Sequence, residues 1–364
     1  MEGFLQGSRI YRRLLLVYAM KTIAAVLVAH NEPLRLMELE IPPLEAGQVL
    51  VKVLFSGICH SQLMEISGQR GADKYLPHML GHEGAGIVED VGAGVSKVKK
   101  GDAIVLSWIK SGGMDVSGAK YRLGDKIINA GAVTTFSTFT IASENRCVPL
   151  PAGVPLDIAS LLGCAVPTGA GIVLNSIKPS PKSSIAIFGM GGIGLSALLG
   201  AKICGCEKII AVDRVPCKLE MAGKLGATHV IDAQRENVGD KISSLTAGRG
   251  LDYAVEATGK TGVIEQAFQS VRKGGGLCVF ASHPPHGEKI KIDPFDLICG
   301  KQLRGSWGGE SKPDRDVPIW SDLYLRGKLP LAALITHRFP LEKINDAFVL
   351  LAAGSAGRII VEVR

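Results

Sequence analysis

The chain has 364 residues, of which 46% are hydrophobic, and a formal net charge of +7. This length exceeds what one hydrophobic core usually organises, so we expect two domains. No apolar run approaches 18 residues, the basic residues form no aromatic-interleaved stripe, and the eight cysteines lack the spacing of a disulfide scaffold. Composition therefore argues against a membrane protein or a nucleic-acid binder, and it favours a cytoplasmic α/β protein.

The first nineteen residues differ from the rest of the chain. Three arginines precede the apolar segment 14–19, as in a signal peptide, but this segment is too short and no small-residue cleavage site follows it. A regular strand pattern begins only at Met20. We interpret residues 1–19 as a leader or tag-like extension and Met20 as the natural start.

The segment from residue 21 to residue 147 has the texture of a β-rich domain. Short apolar or alternating runs such as TIAAVLVAH, QVLVKVLFSGI and GAGIVEDVG are separated by glycine and proline. Such runs, bounded by turn residues, are typical of strands.

Three residues in separate loops, two in this segment and one shortly after it, could hold a metal ion. Cys59 lies in SGICHS, His82 in GHEG and Cys164 in LLGCAVPTGAG. If the fold unites them, two thiolates and one imidazole would bind zinc and leave a fourth position for water or an alcohol oxygen. Each residue alone would more commonly be a packing residue, and only the joint pattern indicates a catalytic zinc site.

After Pro167 the pattern changes to strands that alternate with segments of helix length. IAIFG precedes a helix, KIIAVD precedes CKLEMAGKLG, and LDYAVEA precedes TGVIEQAFQSVR. This alternation predicts a doubly wound parallel sheet.

The loop after the first of these strands carries a dinucleotide fingerprint. Gly189, Gly191 and Gly194 form GxGxxG between a strand and a helix, and the next strand ends in Asp213. Glycines allow the backbone to approach a pyrophosphate, and a carboxylate at this spacing accepts the adenosine ribose hydroxyls. Asp213 also repels a 2′-phosphate, which favours NAD over NADP, although Arg214 beside it weakens that preference.

The tail from about Trp307 ends in a helix, LEKINDAFVLLAAG, and a strand, RIIVEV, and we expect it to return to the first domain. We expect an exposed edge strand near Leu277 to Ala281, which would suit pairing between two copies of the sheet. We therefore expect a homo-oligomer, either a dimer or a tetramer.

From Met20 to the C-terminus the sequence resembles the zinc-containing alcohol dehydrogenases of the medium-chain dehydrogenase/reductase superfamily. The zinc signature of that family is GHE, two residues, Gly, five residues and Gly. Here it is met by Gly81, His82, Glu83, Gly86 and Gly92.

The resemblance implies an α/β fold in which a Rossmann doubly wound parallel sheet is joined to a GroES-like β-rich catalytic domain. The implied division is a catalytic domain at 20–164, a Rossmann NAD-binding domain at 165–307 and a C-terminal return to the catalytic domain at 308–364. The active site would lie in the cleft between them.

The resemblance also implies a role for individual residues around the zinc ligands Cys59, His82 and Cys164. Ser61 would take the alcohol proton, Glu83 would lie behind the zinc as a transient ligand, and Trp108 would form a wall of the substrate pocket. The implied cofactor-binding residues are His60, Thr168, Gly189, Gly191, Gly192, Gly194, Asp213, Lys218 and Arg358.

The sequence also departs from the family. No cysteine lies between His60 and Arg146, so the second, structural zinc of many members should be absent and one catalytic zinc is expected per subunit. Gln62 stands where an aspartate is common, which changes the partner available to His82. Met64 replaces a histidine that passes the proton to solvent in some members.

We therefore expect reversible hydride transfer between a small alcohol and NAD, giving an aldehyde or ketone. Two other functions remain open at this stage. One is a polyol or aminocyclitol dehydrogenase of the same superfamily, because pocket residues outside the motifs cannot be read from the sequence. The other is a non-catalytic protein that senses NAD(H), although such a protein has no need of zinc beside the nicotinamide.

Overall fold

The computed structural model describes residues 20–363, so the interpretation of residues 1–19 lies outside the described part of the chain. Within that part, no single helix has the length and apolar composition needed to cross a membrane. One pair of helices, Leu156–Gly163 and Ala165–Ile177, passes that test only jointly, across a bend of 59°.

Strands are the main regular element of residues 20–150 and then recur singly between helices. Those of residues 20–363 are β1 (Lys21–Leu27), β2 (Arg35–Glu40), β3 (Gln48–Gly57), β4 (His78–Met79), β5 (Glu83–Val91), β6 (Ala103–Ser107), β7 (Lys120–Leu123), β8 (Lys126–Asn129), β9 (Phe139–Ser143), β10 (Cys147–Pro149), β11 (Ser184–Phe188), β12 (Lys208–Asp213), β13 (His229–Asp232), β14 (Tyr253–Glu256), β15 (Leu277–Phe280), β16 (Gln302–Gly305), β17 (Ile335–Pro340) and β18 (Arg358–Glu362).

Helices lie mainly in the second half of the chain. In the same range they are α1 (His60–Ile66), α2 (Leu156–Ala159), α3 (Ala165–Gly171), α4 (Gly192–Ile203), α5 (Pro216–Leu225), α6 (Val238–Leu245), α7 (Thr261–Ser270), α8 (Pro294–Ile298), α9 (Pro313–Leu325) and α10 (Ile344–Ala353).

The β-rich domain is built from two sheets. Strands β1, β2, β7, β8 and β4 close into a small barrel, and the other sheet has the order β10-β6-β5-β3-β18-β17 with β9 also pairing with β3. The C-terminal strands β17 and β18 thus join a sheet that otherwise comes from the first 150 residues, because β18 runs antiparallel to β3.

The second domain is a parallel sheet with the order β13-β12-β11-β14-β15-β16. All five residues of its central strand β11 are buried, which explains why that strand reads as one apolar run rather than as an alternating pattern. The sequence suggested an exposed edge strand near Leu277–Ala281 that would suit pairing of two copies, and this prediction is wrong. Strand β15 lies between β14 and β16, and β16 forms this edge.

The lobe between β6 and β9, which carries no cysteine, is an ordered β-hairpin. Strands β7 and β8 pair through a tight turn, and Tyr121 on β7 is fully buried and accepts a hydrogen bond from the Ile141 amide at 2.7 Å. Below the hairpin, Glu144 accepts hydrogen bonds from the backbone amides of Ser96, Lys97 and Met114. In this chain, packing and hydrogen bonds therefore order the lobe.

Candidate active site in the interdomain cleft

A cleft of about 1150 Å³ lies between the β-rich domain and the parallel sheet. One wall comes from α1, β4 and the hairpin β7–β8, and the other comes from the carboxyl ends of β11, β12, β14 and β15. A cleft beside the carboxyl ends of parallel strands is where α/β sheets bind nucleotides.

The three predicted metal ligands meet on this cleft. Cys59 is the N-cap of α1, His82 precedes β5, and Cys164 precedes α3, yet their donor atoms all lie within 4.8 Å of one another. His82 Nε2 is 3.3 Å from Cys164 Sγ. The preceding Gly81 has φ of +96°, and a Cβ there would lie 2.7 Å from the Phe136 amide nitrogen, so the turn that presents His82 requires glycine.

The electrostatics of the three donors suit a cation. A hydrogen bond from the Cys164 thiol lowers the pKa of Cys59 well below its usual value, and the same bond raises the pKa of Cys164. Burial opposes protonation of His82, but the hydrogen bond with Cys59 and the negative charges of Cys59 and Glu83 together outweigh this effect and raise its pKa. These groups thus share protons that a metal ion would displace. Two sulfurs and an imidazole nitrogen are donors that zinc favours, so the residues fit that ion.

A buried ion pair links this centre to the dinucleotide loop. Glu83 is fully buried and binds Arg358 Nη2, and neither side chain is more than 6% exposed. A Cβ on Gly192 would collide with the Arg358 side chain, so Arg358 lies directly against the loop. Glu83 itself does not line the cleft but lies behind the metal ligands.

Helix α1 carries the residues nearest to the metal ligands. Ser61 lines the cleft and its buried hydroxyl has no hydrogen-bond partner among the described residues. The side-chain oxygen of Gln62 accepts a hydrogen bond from the Cys59 amide at 2.8 Å, so this contact orients the N-cap of α1 rather than His82. Met64 also lines the cleft and is buried.

The three glycines of the fingerprint have three different geometries. Gly189 has φ of +92°, which L residues rarely adopt, and a Cβ on Gly194 would collide with the Gly189 carbonyl oxygen. A Cβ on Gly191 would meet no atom within 4 Å. Gly191 therefore faces open space at the N-cap of the twelve-residue helix α4, which is a cradle that fits a pyrophosphate. Gly194 does not line the cleft and serves the packing of α4.

Asp213 ends β12 and lines the cleft. One of its oxygens accepts a hydrogen bond from the Met190 amide at 2.6 Å, and the other accepts from the amides of Arg214 and Val215. Asp213 therefore ties the glycine loop to the end of the next strand. A carboxylate has about four acceptor sites, so it can still accept a ribose hydroxyl.

The other predicted cofactor residues also line the cleft. His60, Thr168 and Lys218 come from α1, α3 and α5, and the buried Thr168 hydroxyl lacks a partner among the described residues. Burial lowers the pKa of Lys218. Sequence reasoning missed Lys260, which also lines the cleft and is the N-cap of α7. Its position directly after the strand β14 was the available signal.

A buried carboxyl supports the floor of this half of the cleft. Glu256 ends β14, is fully buried, and accepts hydrogen bonds from the amides of Thr258 and Gly259 at 2.6 and 3.1 Å. Burial raises the pKa of Glu256 to about 7. Thr258 lines the cleft, so Glu256 fixes part of its surface without touching it.

Trp108, which the sequence analysis named, and Trp307, which it did not, both line the cleft. The two indole rings pack edge to face with centroids 5.0 Å apart, and Trp307 is 79% exposed. Trp307 could have been found from its place in the glycine-rich segment GSWGG, which directly follows the last strand of the parallel sheet.

Two family models match the chain. Residues 45–152 match the alcohol dehydrogenase GroES-like domain, and residues 192–322 match the zinc-binding dehydrogenase family.

Whole-chain comparisons agree with these matches. The chain is 34% identical to alcohol dehydrogenase class-3 of Myxine glutinosa, over 93% of this chain and 97% of that protein. It is 32% identical to alcohol dehydrogenase 2 of Zea mays, over 94% and 97% of the two chains. The crystal structure of benzyl alcohol dehydrogenase from Acinetobacter calcoaceticus superposes with a TM-score of 0.87 at 32% identity, covering 95% of this chain and 100% of that chain.

Proposed function

The chain belongs to the zinc-containing alcohol dehydrogenases of the medium-chain dehydrogenase/reductase superfamily, and from that premise we propose that it oxidises alcohols reversibly with NAD in the interdomain cleft. The observation that carries this proposal is the meeting of Cys59, His82 and Cys164 within 4.8 Å on the same cleft as the glycine loop. A metal centre and a dinucleotide cradle on one cavity together suit metal-assisted hydride transfer from an alcohol.

Cys59, His82 and Cys164 would hold the zinc ion. When bound, zinc acts as a Lewis acid that lowers the pKa of an alcohol hydroxyl, as it does for water. The protein's own contribution is the low-dielectric wall behind the donors. The buried pair of Glu83 and Arg358 closes the site on that side, and Arg358 also contributes positive charge beside the glycine loop.

Ser61 is the proposed first acceptor of the alcohol proton. Its unpartnered hydroxyl on the cleft can accept that proton while it donates its own toward water or a cofactor hydroxyl. Bound NAD⁺ would supply the hydride acceptor for the carbon-bound hydrogen, so that an alcohol and NAD⁺ would give a carbonyl compound, NADH and one proton. Met64 cannot relay a proton, which leaves solvent or the cofactor for its exit.

The nicotinamide cofactor would lie along the carboxyl ends of the parallel strands, and NAD is the proposed form. Gly191 leaves room for the pyrophosphate, and Thr168 would contact the nicotinamide. The half-buried Asp213 carboxylate at the adenosine end opposes a 2′-phosphate. Lys218 and Lys260 add positive charge to the same half of the cleft.

One zinc per subunit, without a structural zinc, is the proposed stoichiometry. The hairpin β7–β8 stands in place of the cysteine-bearing lobe. Its buried Tyr121 already has a hydrogen-bond partner, and Glu144 fixes the turns beside it by accepting backbone hydrogen bonds. The segment 107–142 contains no cysteine or histidine. Four closed ligands of that kind are what a structural zinc requires.

The proposed domain division places residues 20–164 and 308–364 in the catalytic domain and residues 165–307 in the Rossmann domain. Its support is the pairing of β18 with β3. We also propose a homo-oligomer in the cytoplasm. The unpaired side of β16 and the exposed side chains of Phe295, Leu297 and Ile298 near it suit an interface between copies.

The decisive experiment measures NAD-linked oxidation of primary and secondary alcohols by the wild-type protein together with its zinc content. Turnover that needs about one zinc per chain supports the proposal. NADH binding without turnover of any alcohol by fully zinc-loaded protein would contradict it and would favour the NAD(H)-sensing alternative.

A further inference from the structure

A buried carboxyl beneath the cofactor half of the cleft has no part in the proposed reaction. Glu256 ends β14, a central strand of the parallel sheet, and is 0% exposed. Its oxygen Oε1 accepts hydrogen bonds from the Thr258 amide, the Thr258 hydroxyl and the Gly259 amide. The other oxygen, Oε2, is buried and has no hydrogen-bond partner among the described residues. The donors thus converge on one oxygen and leave the second unsatisfied.

The elements packed around Glu256 present few ionisable groups. Cys278 lies on the adjacent strand β15, and burial raises the pKa of its thiol, so it stays neutral. Helix α7 carries Glu265 and begins after Lys260, and the loop after β15 carries His283. Within residues 20–363, the pKa of Glu256 is set by burial and by its hydrogen bonds, and burial raises it to about 7. A buried carboxylate without a cation beside it is costly, and a proton removes that cost.

Glu256 lies close to the glycine loop that is the proposed pyrophosphate cradle. It pairs with Phe188 across the sheet, and Phe188 directly precedes Gly189. Neighbouring strands are about 4.8 Å apart, so the backbone of Glu256 lies one strand away from the start of this loop. The Ala257 amide donates a hydrogen bond to the Phe188 carbonyl oxygen at 2.9 Å. A Cβ on Gly189 would lie 2.6 Å from Thr258 Cγ2, so Thr258 packs directly against the glycine loop.

The same carboxyl sets the course of the segment 257–260, which forms part of the cleft floor. Thr258 and Lys260 both line the cleft. The Thr258 hydroxyl donates to Glu256 and accepts a hydrogen bond from the Lys260 amide at 3.2 Å. A Cβ on Gly259 would lie 3.0 Å from the His283 carbonyl oxygen, so the loop after β15 holds this segment on its other side. Glu256 therefore positions two residues of the cofactor half of the cleft without lining the cleft itself.

We propose that Glu256 is a positioning residue that must carry a proton for tight cofactor binding, so that binding of NADH takes up a proton at this carboxyl. The pyrophosphate of the cofactor brings negative charge to the adjoining glycine loop. A second negative charge on a buried carboxylate would repel it through a medium of low dielectric constant. Cofactor binding and ionisation of Glu256 therefore oppose each other, and by linkage each weakens the other by the same factor. This inference rests on the proposed function, because the glycine loop must hold the cofactor.

The test measures the Kd of the zinc-loaded protein for NADH by fluorescence titration between pH 6 and pH 9. For wild type we expect Kd to rise about fivefold or more over this range, which is the lower end of the usual coupling between two sites. Glu256→Gln keeps an acceptor oxygen for the three donors but cannot ionise, so this rise should be lost. Glu220→Gln is the matched control, because Glu220 is an exposed carboxylate on α5 that pairs with Lys224. It should keep the pH dependence of wild type.

Two further measurements test the proposal even if Glu256→Gln folds poorly. Calorimetric titration of wild type with NADH near pH 7.4, in two buffers of different ionisation enthalpy, should show an uptake of about 0.4 proton per NADH. Thr258→Val removes one donor to the carboxylate and keeps the methyl group beside Gly189. Hydrogen bonds from Thr258 lower the pKa of Glu256, so the loss of NADH affinity should move to higher pH in this variant.

The outcomes separate this inference from the proposed function. NADH binding that is independent of pH in wild type would overturn the inference and leave the dehydrogenase function standing. Proton uptake that Glu256→Gln retains in full would assign it to another group of the cleft, such as His60 or Lys218, and would also overturn the inference. Absence of NADH binding by wild type at every pH would instead contradict the proposed function, and this inference with it.

Discussion

Two alanine substitutions in the glycine loop should separate cofactor binding from folding. Gly191 has φ of −88° and ψ of −166°, a backbone that alanine adopts easily, and its Cβ would meet no protein atom within 4 Å. Gly191→Ala should therefore leave the fold intact, or stabilise it by about 0.4–1 kcal/mol through the unfolded state. The methyl group would instead fill the space through which the pyrophosphate approaches the backbone.

The expected loss of NAD affinity follows from the cost of forcing a methyl group into a filled space. Overpacking costs about 1–3 kcal/mol, which corresponds to a Kd for NADH raised roughly five- to 150-fold. Gly194→Ala should behave differently, because its Cβ would collide with the Gly189 carbonyl oxygen, a backbone atom that cannot move aside. That variant should be destabilised whether or not NADH is present.

Fluorescence titration with NADH and thermal unfolding measure the two effects. Gly223→Ala is the control, because Gly223 lies in α5 and its Cβ would also meet nothing within 4 Å. An unchanged NADH affinity in Gly191→Ala, or a loss of thermal stability equal to that of Gly194→Ala, would refute the assignment of the loop as the pyrophosphate cradle.

Further variants address the metal, the cofactor and pH. Cys164→Ala should lose zinc and turnover but retain NADH binding, because Cys164 belongs to the metal centre; elemental analysis beside NADH titration checks this, and turnover without zinc would contradict it. Asp213→Ser should weaken the binding of NAD and improve the binding of NADP. It should also lower Tm, because the carboxylate accepts three backbone hydrogen bonds. Steady-state kinetics with both cofactors measure the preference, and a wild type that already prefers NADP would contradict this role of Asp213. Burial raises the pKa of Glu256 from 4.5 to about 7, so the folded state binds this proton more tightly than the unfolded state does. The protonated carboxyl therefore contributes about 3 kcal/mol to the free energy of unfolding. This contribution is complete below pH 4.5 and is lost as the pH rises to about 7. In denaturant unfolding, the free energy of unfolding of Glu256→Gln should lack that part of the decrease between pH 4.5 and about 7. A decrease equal to that of wild type would show that Glu256 does not titrate in this range.

The sequence alone predicted the parallel sheet well, because its signals are local. A fully buried strand such as β11 is a short apolar run, and the glycines at 189, 191 and 194 are required by the turn and helix start that they themselves form. The same reasoning failed at strand order. Nothing within Leu277–Ala281 indicates that β16 pairs outside it, because that neighbour comes from residues 302–305.

The candidate metal centre depended partly on the sequence motif and partly on the fold. The motif around His82 and the two cysteines identified the proposed ligands, but each lies in its own loop, and only the packing of α1, β5 and α3 brings their donor atoms within 4.8 Å. The double role of Asp213, which binds the Met190 amide as well as facing the cofactor site, also needed the fold.

Which side chains share the cleft could not be predicted from the sequence. Glu65 comes from a helix, Asp73 from a loop, and Lys120 and Asn129 from a hairpin about fifty residues further along the chain, yet all four line the cleft. Local propensity and spacing determine which strands, helices and phosphate-binding turns form, because those depend on neighbouring residues. Which side chains share a cavity depends on pairings between distant strands, such as that of His78 with Asn129, and only the tertiary structure decides those.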